Sequence, residues 1–245
     1  MAQRPWHGIP IVASDEPLQP LPEALLRLQP HPYMSLGAPY GSGQSPFALR
    51  RGVVTRLLQA QQALQRSCPE LQLAIFDGWR PIAVQQFMVS RTLVELCLQQ
   101  GVDPQRPSPE RDRLEAEVGR FWAPPSRDPA TPPPHSTGAA VDLTLATVAG
   151  QPLDMGGAID AIGAISEPGH YADAAGADPS GSAARWHHRR QCLSAAMATA
   201  GFAQHPNEWW HFSWGDQLWA WRSGAAQACY GAIEPLAGWT EASAC

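Results

Sequence analysis

The chain has 245 residues, a formal net charge of −5, 44% hydrophobic and 16% charged residues. This is the composition of a globular protein with a sizeable core. No apolar run reaches the roughly 20 residues of a membrane span. The 17 basic residues are scattered and all are arginine, which excludes a nucleic-acid groove, a Schiff-base lysine, a pyridoxal-phosphate anchor and a Walker-A lysine.

Residues 1–46 read as an irregular N-terminal segment of Pro, Gly and short polar pieces, with Tyr33 and Tyr40 interspersed. The stretch from Met1 to Gly8 has no apolar stretch of the secretory kind. Apolar residues at Val53, Val54, Leu57, Leu58 and Leu64 predict an amphipathic helix over 48–66. A short apolar run predicts a strand over 71–76. Helical spacing returns over 82–100, through Val84, Phe87, Met88, Leu93 and Leu96, and Gly101 sits just past its end. A charged helix is expected over 108–121, with Pro109 in its first turn. A proline-rich loop, 123–134, leads into a strand over 139–145, and residues 150–182 read as a long covering loop. A helix over 183–200 is closed by Gly201. The aromatic run 208–214 alternates like a strand, and 218–221 is expected to pair with it through Gly215 and Asp216. The order predicts a single α+β domain over 1–245, with a small antiparallel sheet packed against helices. Cys68, Cys97, Cys192, Cys229 and Cys245 are widely spaced without a C-x-x-C pair. They read as small buried hydrophobes in a reducing cytoplasm.

Three islands could carry chemistry: Phe76-Asp77-Gly78-Trp79-Arg80-Pro81, His135 through Thr144, and Asn207 through Phe212. His135 and Asp142 flank Gly138, which permits a tight turn that aims both side chains at one point. An imidazole and a carboxylate so placed suit zinc; a His and an Asp in one loop and strand also form structural hydrogen-bonded pairs. Glu208 and His211 are three apart, so on a strand they would face opposite sides, and a bend or bulge is needed to bring both to one site. Taken together, His135, Asp142 and His211 offer two nitrogens and one oxygen to a metal and leave a fourth position for water. Glu208 would take a proton from that water, and Arg80 would meet an oxyanion.

These islands resemble those of the zinc D-alanyl-D-alanine dipeptidases, the VanX-type members of the wider D,D-peptidase family. The resemblance runs through most of 48–214. It includes the Asp77 to Pro81 motif, His135 to Leu145, Met155 and Gly156 followed by Asp160, Ala200 to Phe202, and Glu208-Trp209-Trp210-His211. It implies one Zn2+ per chain on His135, Asp142 and His211, with Glu208 as the catalytic base and Arg80 stabilising the transition state. It also implies a small substrate, D-Ala-D-Ala or a similar D,D-dipeptide, in cytoplasmic peptidoglycan (cell-wall) metabolism. Asp160 is then the expected handle for the substrate's ammonium. Asp77 is expected in the substrate site or as a brace for the turn carrying Arg80. Pro133 and Pro134 stand where related dipeptidases often carry a serine, and 161–186 fits less closely; both bear on substrate preference. His187 and His188 read as solvated or packing residues, and His170 and His205 carry no assignment. No nucleic-acid or membrane partner is expected, and the oligomeric state stays open. The alternatives are a zinc D,D-carboxypeptidase or peptidoglycan amidase acting on long chains outside the cytoplasm, and a zinc-holding binding module without turnover. Glu208 argues against the last, because a pure binding site needs no base beside the ligands.

Overall fold

The computed structural model describes residues 4–233; Cys245 lies outside them. The N-terminal portion carries β1 (Leu18–Pro20), β2 (Leu26–Arg27), the short helix α1 (Pro32–Ser35) and β3 (Ala48–Arg50). There follow α2 (Arg51–Ser67), β4 (Leu71–Asp77), α3 (Ile82–Gln99), α4 (Pro109–Phe121) and β5 (Ala140–Thr147). The chain continues through α5 (Ala172–Ala177), α6 (Ser182–Thr199), β6 (Ala203–Gln204), β7 (His211–Ser213) and α7 (Gln217–Ser223). A five-stranded sheet has the order β2-β4-β5-β7-β6, and β1 pairs with β3 in a separate ribbon. The sheet is antiparallel as expected, except at its edge, where β2 runs parallel to β4.

Strand alternation divides the sheet into a core face and a site face. Leu73 and Ile75 on β4, Val141, Leu143 and Leu145 on β5, and Phe212 on β7 join one apolar cluster. Against them pack Val53, Leu57, Ala60 and Leu64 of α2 and Leu193, Ala196 and Met197 of α6. Each such large side chain taken fully from water contributes about 1.5–3 kcal/mol before conformational entropy is set against it. Strict alternation would send Asp77 to the same apolar face as Leu73 and Ile75. A bulge at Phe76 prevents this: Ile75 pairs with Leu143, yet Asp77 pairs with Asp142. Asp142 in turn pairs with His211. One extra residue therefore places Asp77, Asp142 and His211 in a row across three strands, on the face away from the core.

A second apolar cluster, built from Val84, Met88, Leu93, Leu114, Val118, Phe121 and Trp122 with Tyr33 and Tyr40, joins α3 and α4 to the N-terminal portion. The segment expected to be irregular thus contributes short strands, a helix and two buried tyrosines.

Two expectations near the C-terminus are corrected. The strand predicted over 208–214 is confined to His211–Ser213, with Glu208 in the turn before it. The pairing strand predicted over 218–221 is instead helix α7. Asp216 caps that helix by accepting from the Trp219 amide at 2.8 Å, and Gly224 closes it in the left-handed conformation. These end signals outweigh the alternation of Leu218, Trp219, Ala220 and Trp221. The 150–182 segment is mostly loop, but holds a 3-10 turn at Ala164–Ser166 and helix α5. Among the described residues no helix is long and apolar enough to cross a membrane.

Candidate active site

His135 lies in a 3-10 turn, Pro134–Thr137, that ends at Gly138 with φ 70° and ψ 16°. Glycine adopts this left-handed turn without a Cβ penalty, and the chain then enters β5 directly. The turn is stitched to the Asp77–Pro81 island. Ser136 Oγ donates to the Arg80 carbonyl at 2.8 Å, and the Arg80 amide donates to the His135 carbonyl at 3.2 Å. His135 Nδ1 donates to the Gly78 carbonyl at 2.7 Å, so Nε2 keeps its lone pair and faces the cleft. Gly78 sits where a Cβ would come within 2.7 Å of the Pro46 carbonyl oxygen, so only glycine fits this approach without displacement.

His135, Asp142 and His211 converge. His135 Nε2 is 3.2 Å from His211 Nδ1 and 3.1 Å from an Asp142 oxygen, and His211 Nδ1 is 3.0 Å from the other Asp142 oxygen. All three side chains are buried, and one ligand atom from each falls within 4.8 Å of the others. His211 Nε2 lies 3.3 Å from Ser213 Oγ, which can accept its proton and leave Nδ1 free as a donor atom. Burial works against ionisation of Asp142, yet the neighbouring histidines hold its carboxyl well below the usual range. The trio is a set of donor atoms able to hold a metal ion.

Glu208 comes to the same point from the turn before β7, its Oε2 3.6 Å from His211 Nδ1. That turn supplies the bend which a strand would have lacked. Burial first, and then the charges of Asp142 and Asp160, push the Glu208 carboxyl well above its ordinary value. Its other oxygen is 3.3 Å from His205 Nδ1. His205 is buried, and burial with the nearby His211 pushes it well below the usual histidine range.

Arg80 reaches the row of acids from the other side. Its Nε and Nη2 grip Asp77 at 2.9 and 2.7 Å, Nη2 also reaches Asp142 at 3.3 Å, and Nη1 donates to Gln85 at 2.9 Å. One planar cation thus separates two carboxylates that the sheet register sets opposite each other. Asp77 is fully buried, with Oδ1 taken by His31 Nε2 and the Tyr40 hydroxyl, each at 3.1 Å. Despite burial, Arg80 and then His31 hold its carboxyl below the ordinary range. Asp77 therefore sits behind Arg80 as its brace and does not line the cleft.

Asp160 does line the cleft, in the left-handed conformation at φ 65°. It accepts from the Tyr33 hydroxyl at 2.6 Å, and burial, with Asp142 nearby, pushes its carboxyl up to about 7. The proline-rich loop supplies one rim through Pro124, Ser126 and Thr131 to Pro134, and the N-terminal Arg4, Trp6 and His7 supply another. His187 and His188 stay on α6, and they and His170 are not among the residues that line this cleft. Sequence reasoning missed His31, Tyr33, Gln85, His205 and Arg4. Arg4, His31 and Tyr33 reach the site from the distant N-terminal segment, with no spacing signal, and Gln85 comes from the first turn of α3, five residues after Arg80; His205 lies three residues before Glu208, and a second base so near was the available hint.

Comparison with known proteins accords with this geometry. The sequence matches the D-ala-D-ala dipeptidase family of peptidases over residues 27–228. It is 46% identical over 226 residues to the D-alanyl-D-alanine dipeptidase of Synechocystis sp., covering 89% of this chain and 90% of that protein. It is 30% identical over 169 residues to the D-alanyl-D-alanine dipeptidase of Escherichia coli, covering 69% of this chain and 67% of that one. A vancomycin-resistance D,D-pentapeptidase solved with Zn(II) overlays with a TM-score of 0.44 at 14% identity, over 74% of this chain and 81% of its own, too slight a likeness to bear on chemistry. The family match spans most of the chain and contains His135, Asp142 and His211, so this chain belongs to the D-Ala-D-Ala dipeptidase family of metallopeptidases.

Proposed function

We propose that the protein is a zinc-dependent dipeptidase that hydrolyses D-Ala-D-Ala or a similar small D,D-dipeptide. The observation that carries this reading is the convergence of His135, Asp142 and His211 with Glu208 on one side and Arg80 on the other. The two imidazole nitrogens lie 3.2 Å apart, and one Asp142 oxygen faces each of them, at 3.1 and 3.0 Å, so the donor groups converge closely enough to share one ion. Two neutral imidazoles and one carboxylate match the ligand chemistry of zinc, and their outward nitrogens are held by Gly78 and Ser213. When bound, zinc would supply Lewis acidity, lowering the pKa of a coordinated water and polarising the scissile carbonyl.

The protein's own groups do the rest. Glu208, whose carboxyl is held above its ordinary range by burial and by Asp142 and Asp160, takes a proton from the attacking water and returns it to the leaving amine. Arg80 presents a fixed cation, with one Nη1 hydrogen not taken by Asp77, Gln85, Tyr33 or Asp142, to the oxygen that gains charge. Asp160, held in place by the Tyr33 hydroxyl, receives the substrate's ammonium, which would hold the Asp160 carboxyl ionised.

The test compares free D-Ala-D-Ala with its N-acetyl derivative on the zinc-loaded protein, following release of D-alanine. Acetylation removes the ammonium and leaves the scissile amide intact. Free dipeptide is expected to be cleaved with a kcat/KM at least roughly 10–100-fold higher, the worth of one charge-assisted contact. Comparable values would favour a D,D-carboxypeptidase, which accepts chains extended at that end.

Arg80→Lys probes the oxyanion role. Lysine keeps the charge but cannot bridge Asp77, Gln85 and Asp142 with one planar fork. The variant is expected to retain zinc by metal analysis while kcat falls roughly 10²–10³-fold. Unchanged turnover would remove Arg80 from the reaction.

A further inference from the structure

The N-terminal segment closes over the cleft in a way that the dipeptidase chemistry above does not use. Arg4 donates from Nη1 to the Arg120 carbonyl at 3.1 Å, and from Nη2 to those of Gly119 at 2.6 Å and Trp122 at 3.2 Å. These are carbonyls at the C-terminal end of α4, where a cation is favoured. Two residues on, the Trp6 ring packs edge-on against His205 at 5.7 Å and tilted against Trp221 at 5.4 Å. Gln217 of α7 then clamps the strap to the proline-rich loop by donating to the Ile9 carbonyl at 2.7 Å and the Ala130 carbonyl at 3.0 Å.

Arg4 and Arg80 both line the cleft. Arg80 is neutralised by Asp77 and Asp142. The Arg4 guanidinium hydrogen-bonds only to carbonyls and lies over the Trp6 ring at 5.7 Å, and among the described residues no carboxylate forms an ion pair with it. Three neutral acceptors fix its guanidinium without cancelling its charge, and leave Nε–H and one Nη1 hydrogen unclaimed. It also sits on the Glu208 side: Trp6 covers His205, and His205 touches Glu208. Burial lowers the Arg4 guanidinium and the Glu208 charge raises it again, so the two groups sense each other.

The chemistry of a dipeptide makes that side the relevant one. Glu208 must reach the leaving nitrogen. The terminal carboxylate hangs from the carbon bonded to that nitrogen, so a group that recognises it must lie close to Glu208. On the adjoining proline-rich rim Pro132, Pro133 and Pro134 have no backbone N–H to offer. We propose that Arg4 receives the carboxylate of the substrate's C-terminal residue, which makes the N-terminal strap a specificity element of the active site. This rests on the dipeptidase reading.

The experiment pairs D-Ala-D-Ala with D-alanyl-D-alaninamide, and the zinc-loaded wild-type protein with Arg4→Gln and Arg4→Lys. Wild type is expected to prefer the acid over the amide by roughly 10–100-fold in kcat/KM, and Arg4→Gln to lower that ratio to within about 3-fold. Arg4→Lys, which keeps the charge and loses the fork, is expected to fall between them; if Arg4→Gln does not fold, a ratio in Arg4→Lys equal to wild type overturns the proposal. The same ratio is read in calorimetric dissociation constants on Glu208→Ala, with and without Arg4→Gln, where turnover is slowed enough for binding to be read. If Arg4 merely caps α4, its replacement would slow both substrates equally and leave the ratio at the wild-type value, which overturns the carboxylate role alone. Cleavage of neither substrate by the wild-type protein overturns the dipeptidase reading and this proposal with it.

Discussion

Glu208→Ala is expected to fold, to keep its zinc and to lose roughly 10²–10⁴-fold in kcat, the usual contribution of a positioned acid–base group. The carboxyl is buried and held above its ordinary range by burial and by the neighbouring charges of Asp142 and Asp160. Such a group is poor for stability in the metal-free chain, since burial without an equal partner penalises its charge. Removing it is therefore expected to leave the melting temperature of the metal-free protein at or above that of wild type, while activity collapses. That combination separates a functional carboxyl from a structural one, whose loss would lower both. Glu208→Gln sharpens the test because it keeps the volume and loses only the basicity. Near-normal turnover in either variant would mean that another group takes the proton, and His205, 3.3 Å from Glu208, is the residue to change next.

The division between what the sequence showed and what it hid follows the range of the interactions. Helices α2, α3 and α6 were legible because their apolar spacing repeats locally, and glycines follow the ends of α3 and α6. Strands β4 and β5 were legible as short apolar runs. The bulge at Phe76 was not, because it exists only relative to the partner strand, and without it Asp77 would be counted among the core-facing positions. Asp77 itself was named, but its brace role depends on His31 and Tyr40, 46 and 37 residues away. The trio of His135, Asp142 and His211 could be named from residue types and resemblance, whereas its convergence comes from cross-strand register at Asp142 and His211. Helix α7 was misread because aromatics at 219 and 221 alternate like a strand, although Asp216 and Gly224 mark a helix start and stop. Arg4 was invisible by any local rule, because its partners lie 115 to 118 residues along the chain.

His135→Ala and His211→Ala are each expected to reduce bound zinc from one ion per chain to a small fraction after gel filtration. Both nitrogens sit in buried positions with their second nitrogens committed, His135 to the Gly78 carbonyl and His211 to Ser213, so no rotation within the ring brings a substitute. With one imidazole removed, a catalytic site of three protein ligands falls to two, below the number zinc sites of this kind use. Ser213→Ala gives a graded control: it spares every ligand atom and loosens only the orientation of His211, so zinc affinity is expected to fall about 10–100-fold. Thermal unfolding gives a reading independent of activity. Any ion that binds only the folded chain raises its stability by mass action, so zinc should raise the wild-type melting temperature and a chelator should reverse the gain. In His135→Ala and His211→Ala that zinc-dependent rise should disappear. Full occupancy and an undiminished rise in either variant would strike that histidine from the ligand set, and would leave Asp142 with Glu208, 3.6 Å from His211, as the place to look for a replacement donor.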